Sequence, residues 1–283
     1  MGQTRRAFRL ALASWDIVSR DPVLLVLPLM SAVSILTVMI LLFLPAGLLF
    51  SSNHSQGTFL IFSLLAVYPL TLVGVFFRFA FVLVLAGRLD GRDTSIGDGL
   101  QIAWGRRASI ASWAGIASVA AILIRGLRQL PFLGGLAGDI ASALLGIAWG
   151  AVTFFVVPVI AVEGITGRRA VERSASIFRE RWGLEAVGVL SISGVFALAV
   201  VFGLAGTIFL IVLVHTSAVA VAIVFFGSIV GLIGMMLAAT AVQQAFGLVL
   251  YRYATGATLP AGFPEADLRD SVRPKRRRGL FRR

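Results

Sequence analysis

The stretch VVPVIAVEGITGRRAVERSASIFRERWG, residues 156–183, decides the fold. An apolar run with Pro158 in its last turns ends at Glu163 and Gly164. Five arginines follow within a short amphipathic segment, and Trp182 and Gly183 lead into the next apolar run. Arginines gathered at the ends of apolar runs mark helices that leave a bilayer on the side of its anionic leaflet. The same order of apolar exit, basic turn, amphipathic segment and apolar entry occurs earlier in weaker form. The stretch therefore predicts a helical membrane protein and which way up it sits, and it names no reaction.

Composition agrees. The 283 residues are 58% hydrophobic and 13% charged, with a mean hydropathy of +0.95. Soluble domains are about 25% charged, so lipid must solvate much of this surface. The absence of cysteine excludes disulfides, thiolate metal sites and cysteine catalysis. The two histidines, His54 and His215, fall in separate turns and read as surface residues, so neither a metal nor a cofactor is expected. The net charge of +12 is concentrated beside apolar runs, which points to a membrane surface with anionic headgroups and away from nucleic acid.

Working outward along the chain, residues 4–20 form an amphipathic helix with Thr4 as N-cap. Phe8, Leu12, Trp15 and Val18 share one face, and Arg5, Arg9, Asp16 and Arg20 share another. Asp21 and Pro22 read as N-cap and first residue of a new helix. Six apolar spans follow at about 22–49, 58–87, 108–124, 136–162, 184–213 and 219–250, against the roughly 20 residues a bilayer needs. The first is too long for a signal-peptide core and reads as a retained span. The third is the shortest, and its Ala, Ser and Gly content places it inside the bundle. Short amphipathic helices occupy 95–104, where Ser95 and Asp98 make a capping box, and 168–182. Trp15, Trp104, Phe178 and Trp182 are their expected interfacial anchors. Gly146 with Gly150, and Gly227 with Gly231, read as close helix packing. The tail 257–283 is basic and mostly disordered. Lys275, Arg276, Arg277 and Arg278, together with Arg168 and Arg169, are expected to contact lipid headgroups.

Twenty-two of the 25 Lys and Arg residues fall on one side of this arrangement. That puts both termini in the cytoplasm. The domain expected is a single six-span unit, 1–256, with the three short helices on its cytoplasmic side.

A threefold repeat of interfacial helix plus hairpin, in units 4–93, 94–167 and 168–256, is a further expectation. RFAFVLVLAGRLDG (78–91) aligns without a gap on QQAFGLVLYRYATG (243–256). Ala80, Phe81, Leu83, Val84, Leu85 and Gly91 are identical to Ala245, Phe246, Leu248, Val249, Leu250 and Gly256.

Arg78 is the sharpest chemical signal. Ten residues before Arg88, it lies about 15 Å from the helix end, near mid-membrane, where a charge is costly and usually faces the bundle interior or a water-filled cavity. Neutral candidates for a shared polar layer are Gln243, Gln244 and Thr240, with the Phe154 carbonyl that Pro158 cannot bond. Three readings stand open: a structural tie between helices, a ligand or ion pathway, and a snorkelling side chain. Glu163 reads as a helix-end carboxylate paired with Arg168 or Arg169, with a general base or a headgroup site as alternatives. No Ser-His-Asp set, Walker A loop, HExxH or CxxC is present.

SWDIVSRDPVLLVLPLMSAV (14–33), RLDGRDTSIGDGLQIAW (88–104), the opening stretch, and VLYRYATGATLPAGF (249–263) resemble the recurring blocks of an uncharacterised family of six-span prokaryotic integral membrane proteins, known as a domain of unknown function. More distantly, the chain is similar to the membrane domain joined to some glycerophosphodiester phosphodiesterases. The resemblance implies an all-α, six-helix polytopic bundle in a prokaryotic plasma membrane, and no catalytic residues. Arg78 stands where that pattern has a small polar residue. The functional expectation is a non-enzymatic scaffold or accessory component working with a lipid- or envelope-related protein partner. The alternative is a small transporter or channel using the layer of Arg78 and Gln243. A lipid-modifying enzyme lacks a base and nucleophile.

Overall fold

The computed structural model describes residues 12–50, 56–127, 135–181, 191–213 and 217–259. Regular structure among these is entirely helical. Residues 12–19 form α1. A 3-10 turn, Pro22–Leu25, leads into α2 (Val26–Phe50), and α3 is Gln56–Leu89. The short α4 (Ile96–Gly105) abuts α5 (Arg107–Gly126). Helix α6 (Leu136–Thr153) continues through Val156–Pro158 and a π-helical turn, Val159–Glu163. Then come α7 (Gly167–Arg181), α8 (Ser191–Leu213) and α9 (Ala218–Thr255).

Among the described residues, five helices are long and apolar enough to cross a membrane: Pro22–Pro45, Leu60–Leu89, Arg107–Gly126, Leu136–Glu163 and Ala218–Thr255. The third expected span is longer than its apolar run, because Arg107 and Arg125 are helical too and extend it to 20 residues. The fifth expected span is described only from Ser191, and its apolar part there is Ala199–Leu213.

The buried core lies at one end of the bundle. Phe79, Phe81 and Leu85 of α3 pack with Phe155 and Ile160 of the α6 continuation and with Ala245, Leu248 and Leu250 of α9. Leu24 and Leu27, just before and within α2, close one side, and Val18 of α1 joins them. Away from this end the helices are open. No residue of α9 from 218 to 240 is buried.

The chain leaves α3 and α9 through the same device. Gly91 and Gly256 both take φ +75°, a left-handed conformation that costs glycine little. The Arg92 amide donates back to the Gly87 carbonyl at 3.0 Å and Ala257 to Arg252 at 2.8 Å, so both helices end in a Schellman turn. The α6 continuation also ends on a left-handed glycine, Gly164 at φ +72°.

Pro158 has no amide to donate, and the helix is broken at Phe154 and Phe155. Ser174 of α7 spans the break. Its hydroxyl accepts from the Phe155 amide at 3.1 Å and donates to the Val152 carbonyl at 2.6 Å. Ala170, Ser174 and Ile177 form the buried seam of α7, so this helix is tucked under α6 as well as presenting Arg168 and Arg169 outward.

Several local expectations are corrected. In α1 the buried face is Ser14 and Val18, while Leu12 and Trp15 are exposed. Thr4 lies outside the described residues. Asp21 makes no side-chain cap; its carboxylate pairs with Arg88 at the other end of the first hairpin. Among the described residues, the four GxxxG glycines have no neighbour within 4 Å of where a Cβ would stand, so close packing is not found at them there. Close approach occurs instead at Gly99 of α4, where a Cβ would lie 2.3 Å from Val84 Cγ2 and 3.1 Å from the Ala80 carbonyl. The capping box at Ser95 and Asp98 forms as expected.

Candidate functional site at the packed end

Three long helices terminate beside one another at the packed end, and each leaves carbonyls or carboxylates to be satisfied. Arg252, one turn before Gly256, is 7% exposed and donates through Nη2 to the Ala86 carbonyl at 2.9 Å and to Asp90 Oδ1 at 2.5 Å. It thus ties the end of α9 to the end of α3. Arg92 holds the other Asp90 oxygen at 2.9 Å. Burial pushes the Asp90 carboxyl up, but the hydrogen bonds and charges of Arg252 and Arg92 outweigh it and hold Asp90 below the usual carboxylate range.

A second cluster joins α6, α7 and α9. Arg173 Nε lies 3.2 and 3.0 Å from the two oxygens of Glu163, and the Tyr251 hydroxyl donates to Glu163 Oε1 at 2.8 Å. The hydrogen bond to Glu163 raises the Arg173 guanidinium above its ordinary value. Glu163 is therefore paired with Arg173, not with Arg168 or Arg169. Gly164 reverses the chain so that the first turn of α7 points outward, and Arg168 pairs with Glu172 at 2.8 Å on the exposed side. Arg106 forms a third link. Its Nη1 donates to the Ile160 and Ala161 carbonyls, at 3.0 and 2.9 Å, at the π-helical turn.

These groups line a cavity of about 670 Å³. Arg92, Arg106, Arg173 and Arg252 face it against two carboxylates, Asp90 and Glu163. A guanidinium has five N–H donors. Arg106, Arg173 and Arg252 each engage the protein through one nitrogen, which leaves the others without an acceptor among the described residues. Ile102 and Val162, both exposed, form an apolar rim.

The expected intramembrane layer is differently placed. Arg78 is exposed on α3, and Gln243 and Thr240 are exposed on α9. Thr240 donates to the Met236 carbonyl in its own helix at 2.8 Å. The Gln244 Oε1 is buried without a hydrogen-bond partner among the described residues. Phe154 is half-buried, Pro158 is buried, and the break beside them is satisfied by Ser174. Among the described residues no hydrogen bond joins Arg78 to any of these groups. Trp15 and Trp104 are exposed, and Phe178 is half-buried against the core. His54, His215, Trp182, Lys275, Arg276, Arg277 and Arg278 lie outside the described residues. No group of three His, Asp or Glu side chains among those described could hold a metal ion.

Residues 55–260 match the model of a family of unknown function, DUF6159. The chain belongs to that family. The DUF6159 match spans α3 to α9 and so includes every residue of the cavity. No curated protein and no solved structure matches the chain.

Sequence reasoning missed Arg252, Asp90, Tyr251, Arg106 and Arg173 as one group. Their separations are up to 162 residues, as between Arg252 and Asp90. One signal was available. The alignment of 78–91 on 243–256 sets Asp90 and Gly91 against Thr255 and Gly256, two equivalent helix ends with a carboxylate at one and the Arg252 guanidinium at the other.

Proposed function

We propose that this protein is a non-enzymatic, multi-pass component of a prokaryotic cytoplasmic membrane that presents a basic, internally cross-linked face to the cytoplasmic leaflet. It has six spans, with α8 and the residues preceding it as the fifth, and both termini are cytoplasmic. The likeness of its sequence blocks to membrane domains of glycerophosphodiester phosphodiesterases is consistent with such a bundle. A threefold repeat accounts for the matching ends of α3 and α9 and for the third left-handed glycine at Gly164.

The observation that carries the reading is the engagement of the charged groups. Each cavity arginine meets a carboxylate or carbonyl of the protein. The Tyr251 hydroxyl does face a carboxylate, but Glu163 already has Arg173 on both oxygens, so it is an ion-pair partner before it is a base. An arrangement that joins helix ends and leaves no activated nucleophile suits a scaffold or accessory role. Transport through an Arg78 layer has no comparable observation behind it, since Arg78 makes no hydrogen bond to Gln243 or Gln244 among the described residues.

The absence of cysteine permits a direct test. Asp93→Cys lies between α3 and α4, and Ser217→Cys caps α9 at the other end. In spheroplasts an impermeant maleimide should label Ser217→Cys from outside and Asp93→Cys only after permeabilisation. The reverse pattern overturns the orientation. Labelling of an Arg78→Cys variant from either side would show water at mid-membrane and favour the transport reading instead.

A further inference from the structure

The cavity at the packed end has more positive charge than its protein partners use. Four arginines face two carboxylates, a formal surplus of two positive charges. Arg106, Arg173 and Arg252 each turn one nitrogen to the protein and leave further N–H donors without an acceptor among the described residues. Planar guanidinium forks match the oxygen geometry of a phosphate and bond it through two parallel contacts. Ile102 and Val162 give the rim an exposed apolar part beside Arg92. A basic interior beside a partly apolar rim at the end of membrane-spanning helices matches an amphiphile whose charged head enters while its glycerol and chains stay outside. Basic pockets between transmembrane helices on the cytoplasmic side bind anionic headgroups for this reason.

We propose that this cavity binds the phosphate group of an anionic lipid from the adjoining leaflet. Arg92 is the outermost donor: its side chain is exposed, and its protein acceptor is Asp90 two residues away. Arg173 and Arg252 are the inner donors, held in place by Glu163 and Asp90. The carboxylates orient the guanidinium groups, and the surplus charge attracts the ligand. This rests on the membrane reading above.

The test uses the full chain in phosphatidylcholine nanodiscs, titrated with short-chain phosphatidic acid and, separately, with inorganic phosphate. Bound lipid is counted by native mass spectrometry. Arg92→Gln removes a cavity donor without breaking a contact between helices. Arg179→Gln removes the same charge from an exposed position of α7 that does not line the cavity. We expect the wild type to bind the lipid, Arg92→Gln to weaken it about tenfold, as loss of a charge-assisted hydrogen bond does, and Arg179→Gln to leave it unchanged. Arg173→Lys, which keeps the charge but loses the fork, should also weaken binding. Equal loss in Arg92→Gln and Arg179→Gln would mean diffuse surface attraction and would overturn the site. Arg92-dependent binding of inorganic phosphate with no lipid binding would overturn the lipid as the source. Retention of the chain in membranes through an alkaline carbonate wash, together with failed lipid binding, would defeat the site and leave the membrane reading standing.

Discussion

The two halves of α9 both carry apolar runs and are opposite in surroundings. From 218 to 240 no residue is buried, and Ile223, Phe226 and Val230 are each exposed by well over half. From Ala241 to Ala254 most of the helix is buried, Arg252 included. Helix α3 repeats the contrast, with Leu65 69% exposed and Phe79, Phe81 and Leu85 enclosed. In water such a difference would follow from hydrophobicity. In a bilayer it does not, because lipid tails solvate leucine as well as a protein core does. What distinguishes the packed half is polar satisfaction and close fit. It holds the ion pairs, the Schellman turns, the Ser174 bridge and the tight crossing at Gly99. The open half has apolar bulk and little that requires a specific neighbour.

The strongest way to break this contrast is to remove Arg252. Arg252→Ala removes the donor to the Ala86 carbonyl and to Asp90 Oδ1, leaving Asp90 with Arg92 alone. Breaking a buried pair costs about 3–5 kcal/mol, and the 44% exposure of the Asp90 side chain brings the expected loss down to about 3 kcal/mol. Unfolding in detergent, followed by near-ultraviolet circular dichroism, measures it. Val230→Ala in the open half should shift the same transition by less than about 0.5 kcal/mol.

One substitution should change sign between the halves. Gly99→Ala drives a methyl into Val84, which is buried and stiff at χ1, and should cost about 2 kcal/mol net of the helix-propensity gain. Gly231→Ala meets nothing within 4 Å and should be neutral or stabilise by about 0.5 kcal/mol. Paired thermal melts decide between this pattern and a common sign, which would refute the contrast.

Ser174→Ala tests the bridge across the break in α6. It removes the hydroxyl that accepts from the Phe155 amide and donates to the Val152 carbonyl, and about 1–2 kcal/mol should be lost. Hydrogen exchange at Phe155 should accelerate with it.

The smallest effect is in pH. Asp90 is held below its ordinary range, so its folded-state value lies below the unfolded one. Its contribution is present above the unfolded carboxylate value and is lost as pH falls through the folded one. Asp90→Asn should therefore flatten the acid side of the stability profile between about pH 5 and the acid limit. An acid limb unchanged in Asp90→Asn would show that other groups carry it.

Residue order alone yields the helical membrane class, the positions of the long apolar runs, the short helices with the Ser95 capping box, and the concentration of basic residues at particular helix ends. These are readable because bilayer thickness, helix period and cap chemistry act within a few residues. It also contained the likeness of 78–91 to 243–256, whose structural counterpart is the pair of identical left-handed turns. Tertiary structure alone decided which apolar faces are enclosed, that Glu163 belongs to Arg173 and Tyr251, that Asp21 goes to Arg88, and that Ser174 mends the break at Pro158. It also placed the polar cluster at the packed end, with Arg78 outside it. Those outcomes depend on groups up to 166 residues apart being brought to one place, as Arg252 and Ala86 are. Local periodicity cannot choose between neighbours that lipid and protein make equally apolar. Desolvated charges and unpaired carbonyls choose instead, and they do so only once the helix ends stand side by side.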